Sequence, residues 1–470
     1  MKYTIDTIRE AIYGLDEEFE VEGGKKVPAI NLDNGATTPP FKAVIEDINQ
    51  KLLHYGSIGR GKGQKSQISS EIYTKGYETV KKYVGADSDD YTVFYVNSTT
   101  DGMNKLASAL ITSPNDIVLS TRMEHHANDL PWRERAKVYH VEVDEDGRLN
   151  TGEYLTLLRK FGRKVKYVTV TAASNVTGYV NDVHAIAEIA HAYGAKIIVD
   201  GAQIIAHRKF NMIGKTAAEN IDFLVFSAHK MYSPFGGGAV VGLKDMLTGA
   251  SDAPEPWINN YSLVRHIPCF YGGGMVNSVL DDDVIYTGTH EVFEAGSPNY
   301  PGVVGMLKAM EILTEVGFDQ IEAHEQKLLK MAIEGLSKIP KVILYGDSAK
   351  HDDRVGTVVF NIDLPKYCTN VAILLAQKRA IAVRDRAFCA HPYVRRLTDM
   401  KQFPVDNSCG RDAPEGMVRV SFGIYTTEEE VMAFIQTVKL IAESGEYLVD
   451  PSPDNHLFAS STSAGPNDRG

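Results

Sequence analysis

Asp200 and Lys230 each follow a short apolar run, thirty residues apart. KIIVD ends in Asp200, with Gly201, Ala202 and Gln203 directly after; FLVF is followed by Ser227, Ala228, His229 and Lys230, then by Tyr232, Pro234 and the glycines at 236 to 238. Each has an ordinary reading alone. A carboxylate at a strand end caps a turn, and a lysine before a glycine loop is a solvated basic turn. Together they are more specific, because ligands of open α/β sheets collect at the carboxyl ends of strands. An amine and an acid placed there suit pyridoxal phosphate (PLP): the amine condenses with its aldehyde, and the acid keeps the pyridine nitrogen protonated so that the ring draws electrons.

Two further strand ends carry polar residues. VFYV is followed by Asn97, Ser98, Thr99, Thr100 and Asp101 at a helix start, where free backbone N–H groups and hydroxyls could hold a phosphate together with Ser227 and His229. Ser or Thr before a helix is by default an N-cap. IVLS is followed by Glu124, His125, His126, Ala127 and Asn128. Adjacent histidines point in different directions on most backbones, so no metal site is expected; a His laid on a cofactor ring suits the pattern better.

The elements that must position these residues are legible as alternation. Between Val93 and Leu243, short β-branched runs alternate with amphipathic ones, the signature of an α/β sheet covered by helices. One helix, from Asp182 to Tyr193, places Val183, Ile186, Ile189 and Ala190 on one face, with Gly194 as its C-cap. Beyond Pro298 and Pro301 come two helical stretches, strands near Val342, Gly356 and Met417, and a last helix opened by Thr427 with Glu430 as a capping box. The expected organisation is an N-terminal segment (1–30), a large PLP-binding domain with a mostly parallel sheet (31–300), a smaller α+β domain (301–446) and a disordered tail (447–470) rich in Pro, Ser, Asn and Gly.

Composition narrows the function classes. The 470 residues carry a formal charge of -12, which disfavours nucleic acid as a partner. No run approaches the roughly 18 apolar residues of a membrane span, and acids occupy the region where a signal peptide is apolar, so a cytoplasmic protein is expected. Cys269, Cys368, Cys389 and Cys409 lie far apart with no CxxC pair, which suits neither a disulfide framework nor a zinc site.

The motifs NLDNGATTPP (31–40), STTDGMN (98–104), MEHHAND (123–129), SNVTG (174–178), VDGAQ (199–203), FSAHKMYSPFGGG (226–238), FEAGSPN (293–299) and CAHP (389–392) resemble, in order, the class-V aminotransferase group of fold-type I PLP enzymes. Within it the chain is most similar to the second group of cysteine desulfurases and their selenocysteine lyase relatives. The resemblance implies that Lys230 is the Schiff-base lysine, that Asp200 faces the pyridine nitrogen and that Gln203 donates to the phenolic oxygen. It makes His125 the residue stacked on the ring, relaying protons. Asn175 would contact the ring oxygen or substrate, and Thr99, Thr100, Ser227 and His229 would hold the phosphate. Ser297 would reach the phosphate of a neighbouring subunit, which implies a homodimer.

Arg419, and Arg384 as a second candidate, would clamp the substrate carboxylate, for which a guanidinium fork is suited. Cys389 falls where the desulfurases keep their nucleophile, and the cationic Arg384 and Arg386 favour a thiolate there. Cys409 is the rival; Cys269 and Cys368 are taken as structural. The chain departs from the family pattern in Ala387 and Phe388, where histidine is common, in Gly59-Arg60-Gly61, and in a long 390–418 segment. The implied activity is conversion of L-cysteine to L-alanine with a persulfide on Cys389, passed to a protein acceptor. Alternatives are a selenocysteine lyase, another carbon–sulfur lyase, or a class-V aminotransferase or epimerase. A non-catalytic relay protein fits poorly with Lys230, Asp200, Gln203 and His125 all present.

Overall fold

A seven-stranded sheet forms the centre of the computed structural model, which describes residues 3–248, 270–363, 368–398 and 416–445. Its strands are β1 (Tyr91–Val96), β2 (Ile117–Thr121), β3 (Lys137–Val141), β4 (Val165–Thr171), β5 (Lys196–Asp200), β6 (Phe223–Ser227) and β7 (Gly238–Leu243), in the order β1-β7-β6-β5-β4-β2-β3. Only β7 runs antiparallel to its neighbours. The β-branched runs make such strands because both faces are covered. In β6, Phe223 and Val225 enter one core while Leu224 and Phe226 enter the core on the opposite face, as side chains alternate along a strand. Helix α1 (Thr99–Leu110) packs Met103 and Leu106 into one of those cores, and α2 (Val183–Ala192) packs Val183, Ile186 and Ala190 into the other.

After α3 (Tyr300–Val316) and α4 (Phe318–Leu336) a second sheet forms from β8 (Val342–Leu344), β9 (Thr357–Ile362), β10 (Arg384–Arg386) and β11 (Met417–Ser421), antiparallel throughout in the order β8-β9-β11-β10. Helices α4, α5 (Cys368–Arg379) and α6 (Glu428–Ser444) cover it over a core that includes Leu328, Leu375, Val420 and Phe434. Ile30 and Leu32 belong to this core, and Ile30–Asn31 pairs in parallel with Ile381–Ala382. The stretch NLDNG is therefore tied to the second core, and Asp33 bridges Ser421 at the end of β11.

Thr427 and Glu430 complete the expected capping box at the start of α6. Thr427→Ala should cost about 1 kcal/mol, read as a lower denaturant midpoint with an unchanged slope. Among the described residues no helix is long and apolar enough to cross a membrane, and no group of three or more His, Cys, Asp or Glu could hold a metal ion. Cys269, Cys409 and the 447–470 tail lie outside the described residues, as does 399–415 of the long segment.

Candidate active site

The carboxyl ends of β1, β4, β5 and β6 open onto a cavity of about 480 Å³ that meets the second sheet at β10 and β11. It is lined by Thr99, Thr100, His125, Asn175, Asp200, Gln203, Ser227, His229, Lys230, Arg384, Cys389 and Arg419. These residues are scattered over 320 positions (419 − 99), and the topology alone gathers them. Ser297 does not line it; that residue is exposed beyond the short helical turn His290–Phe293.

Lys230 ends the turn after β6. Burial brings its amine down to about 8, partly opposed by the attraction of Asp200. Asp200 is 3% exposed; one of its carboxylate oxygens accepts from the Ala202 N–H at 2.9 Å, and burial raises its pKa against that bond and the Lys230 charge. At the start of α1 the Thr99 N–H donates to Ser227 Oγ at 2.6 Å and the two hydroxyls meet at 2.7 Å, while Ser98 caps the Asp101 N–H. Hydroxyls and helix-start amides thus face one corner. Burial first, then the Lys230 charge, bring His229 down to about 4, so its ring is neutral there. Gln203 Nε2 donates to the Gly35 carbonyl at 2.8 Å, which fixes the amide in place.

His125 is neutral as well. Burial and the Lys230 charge lower it to about 3, and its Nδ1 accepts from the Ala127 N–H at 3.0 Å, which leaves the ring proton on Nε2. Beneath it lies Glu124, a residue without an assigned role from the sequence. Its carboxyl takes bonds from Thr121 Oγ1 (2.7 Å), Asn128 Nδ2 (2.6 Å) and the Thr171 N–H (3.0 Å), and burial raises it to about 8. This network ties the His125 turn to β2 and β4. A charged residue a few positions beyond an apolar run was its only signal in the sequence.

Cys389 is exposed on a turn after β10. Arg386, Phe388 and Cys389 all have positive φ (75°, 50° and 54°), costly for residues other than glycine and sustained only where surroundings enforce it. The enforcement is visible. His126 N–H donates to the Cys389 carbonyl at 2.7 Å, Asn175 Nδ2 to the Phe388 carbonyl at 2.8 Å, and Ala390 N–H to the Ala387 carbonyl at 2.7 Å. Asn175 thus supports the thiol turn directly. Behind the turn, Arg419 is 2% exposed, with Nη1 on the Asn175 carbonyl (2.8 Å), Nη2 on Asp33 (3.0 Å) and the Phe388 ring 5.1 Å from Cζ. Its Nε is buried without a hydrogen-bond partner. Arg384, half exposed, bridges the other oxygen of Asp33 at 3.2 Å.

The profile of the class-V aminotransferase family matches residues 30–434. A probable cysteine desulfurase of Mycobacterium leprae is 33% identical over 91% of this chain and 64% of its own length, and another of Mycolicibacterium paratuberculosis is 33% identical over 91% and 57%. The chain therefore spans less than two thirds of these two relatives. A cysteine desulfurase of Pectobacterium atrosepticum is 31% identical over 92% of this chain and 96% of its own. Among solved structures, a cysteine desulfurase from Thermococcus onnurineus superposes with a TM-score of 0.75 at 27% identity, covering 88% of this chain and 95% of that one. One from Escherichia coli does so with a TM-score of 0.75 at 24% identity, covering 94% and 99%, and supports the fold. The ordered motifs, the doubly covered sheet and a match over most of its length show that this chain belongs to the class-V aminotransferase family.

Proposed function

We propose that the protein is a PLP-dependent cysteine desulfurase that converts L-cysteine to L-alanine and keeps the sulfur as a persulfide on Cys389. The observation that carries this reading is the presence in one cavity of the half-buried Lys230, the buried Asp200, the arginine pair and the exposed Cys389 thiol. The donor set fits the cofactor: an amine of lowered pKa, a buried carboxylate with one oxygen unengaged by backbone, and a helix start with Thr99, Thr100, Ser227 and His229 for the phosphate. When bound, PLP supplies an electrophilic carbonyl and an electron sink.

The chain's residues do the rest. Lys230 would hold the cofactor, and its Nζ would move the α-proton. Asp200 would balance the ring nitrogen and Gln203 the ring oxygen, and the neutral His125 offers a ring face with a proton on Nε2. Arg419 and Arg384 bind the substrate carboxylate, and Asn175 orients both substrate and thiol turn. Cys389 Sγ attacks the substrate sulfur; an S–S bond forms, the C–S bond breaks, its electron pair stays on the substrate carbon and is protonated, and alanine leaves. The reading extends to a cytoplasmic homodimer in which Ser297 serves the phosphate of the second copy, and to a thiol of an acceptor protein that takes the sulfur.

The test is incubation with L-cysteine, PLP and dithiothreitol. Alanine and sulfide in equal amounts are expected; no alanine from L-cysteine overturns the reading, and alanine from L-selenocysteine alone would make the protein a lyase of that substrate. A pH series adds a second check. Only the neutral amine of Lys230 can take up PLP, and its pKa is near 8, so uptake by the cofactor-free protein should quicken about tenfold per unit up to about pH 8 and level off above. Growth of visible absorbance after mixing measures it.

A further inference from the structure

His125 and His126 are consecutive, yet they serve different parts of the cavity. The His125 side chain lines it with Lys230, whereas His126 faces the thiol turn. The His126 N–H donates to the Cys389 carbonyl at 2.7 Å, the His391 N–H donates to His126 Nε2 at 3.4 Å, and the two imidazoles meet edge to face with centroids 4.7 Å apart. One short turn, residues 124–128, therefore touches both the cofactor's place and the nucleophile's backbone. Its two ends are bonded to each other. Glu124 and Asn128, 2% and 0% exposed, meet through Glu124 Oε2 and Asn128 Nδ2 at 2.6 Å. The pair is fastened in turn to its surroundings. Glu124 Oε1 accepts from Thr121 Oγ1 at the end of β2 (2.7 Å) and from the Thr171 N–H at the end of β4 (3.0 Å), while Asn128 Oδ1 accepts from Trp132 Nε1 (3.1 Å) and from Thr169 Oγ1 on β4 (2.6 Å).

The direction of every bond is fixed. Trp132 Nε1 can only donate, so the amide oxygen of Asn128 faces it and the amide nitrogen faces Glu124. Thr121 Oγ1 already accepts from the Met123 N–H at 3.1 Å, so its own proton goes to Glu124. Three donors thus converge on Glu124, and they suit a group that only accepts, a carboxylate, against the burial that raises it. We infer that Glu124 and Asn128 are a positioning pair, which holds the His125 ring and the Cys389 turn in one fixed relation. A displaced turn would move the ring and the backbone of the thiol together, and an error of about 1 Å in the place of a reacting group costs roughly a hundredfold in rate. Neither residue of the pair touches the reacting atoms; they act through His125 and His126. The inference rests on the desulfurase reading, because it takes Cys389 as the nucleophile.

The experiment exchanges the two groups, at about pH 9, above the value of about 8 to which burial raises Glu124. Glu124→Gln makes an amide face a donor whichever way it turns, and Asn128→Asp sets two carboxylates in contact. Each should lower kcat for alanine formation about tenfold or more, with KM within about threefold of the parent. Two further readouts need no turnover. The visible circular dichroism of bound PLP should weaken, and alkylation of Cys389 by iodoacetamide in the cofactor-free protein, followed by mass spectrometry, should change in rate about threefold or more. In Glu124→Gln with Asn128→Asp, amide and carboxylate trade places, every bond is remade and the net charge is unchanged, so all three readouts should return to within about threefold of the parent. A pair that merely stabilised the fold would shift the melting temperature alone. Single variants with parental kcat, dichroism and alkylation overturn the inference, as does a double variant that is as impaired as they are or does not fold. Should a single variant not fold, the double variant decides. A parent enzyme that forms no alanine overturns the desulfurase reading instead, and dichroism and alkylation still judge the pair.

Discussion

Cys389→Ser is expected to abolish alanine formation from L-cysteine, with a loss of at least about a thousandfold, while PLP still binds. Serine differs by one atom and leaves the strained turn intact, because the bonds from His126, Asn175 and Ala390 that enforce positive φ are all made to backbone carbonyls. Neither Lys230 nor Asp200 is altered. What disappears is a sulfur nucleophile that can form an S–S bond, which an alcohol cannot. The checks are alanine yield and the visible absorbance of the loaded protein. Retained alanine formation would move the chemistry away from this thiol, and lost absorbance would mean the turn had collapsed into the cofactor's place.

Lys230→Ala should have an effect of similar size by another route. The variant should lose covalent cofactor attachment, so that borohydride treatment no longer fixes PLP to the protein, and desulfuration should fall by about four orders of magnitude. Its fold should survive, since desolvation of the amine outweighs the attraction of Asp200 and holds its pKa near 8, so the charge is a burden and not a support. A secondary consequence gives an independent reading. The Lys230 charge helps to depress both His125 and His229, so the imidazole pKa values should rise in the variant, as measured by NMR titration of the cofactor-free protein. Unchanged histidines would show that the Lys230 charge does not set them.

Much of this was legible before any coordinates. The runs IIV (197–199) and FLVF (223–226) are apolar throughout because the strands they form are covered on both faces, and an apolar run with an acid or a lysine shortly after it marks a strand end at which ligands collect. The Thr427 cap and the Gly194 stop were equally plain, since capping depends on neighbours a few residues apart. Strand β10 was not. Arg384-Asp385-Arg386 has no apolar alternation, and it becomes a strand only because β11 offers an edge to pair with.

The same division applies to the site. Local sequence determined the residue types at the strand ends, hence the amine, the acid and the phosphate-holding helix start; these follow from chemistry and short spacing. Tertiary structure alone decided which distant groups meet them. Glu124 became a buried anchor beneath His125 only when β4 was laid beside β2, and Phe388 found Arg419 only when the thiol turn folded back over β11. Asp33 came to lie between two arginines 35 positions apart (419 − 384) because residues 30–35 thread into the second core. Such pairings depend on chain topology and on the packing that stabilises it, and a carboxylate's choice of partner is set by distance in space, for which separation along the sequence carries no information.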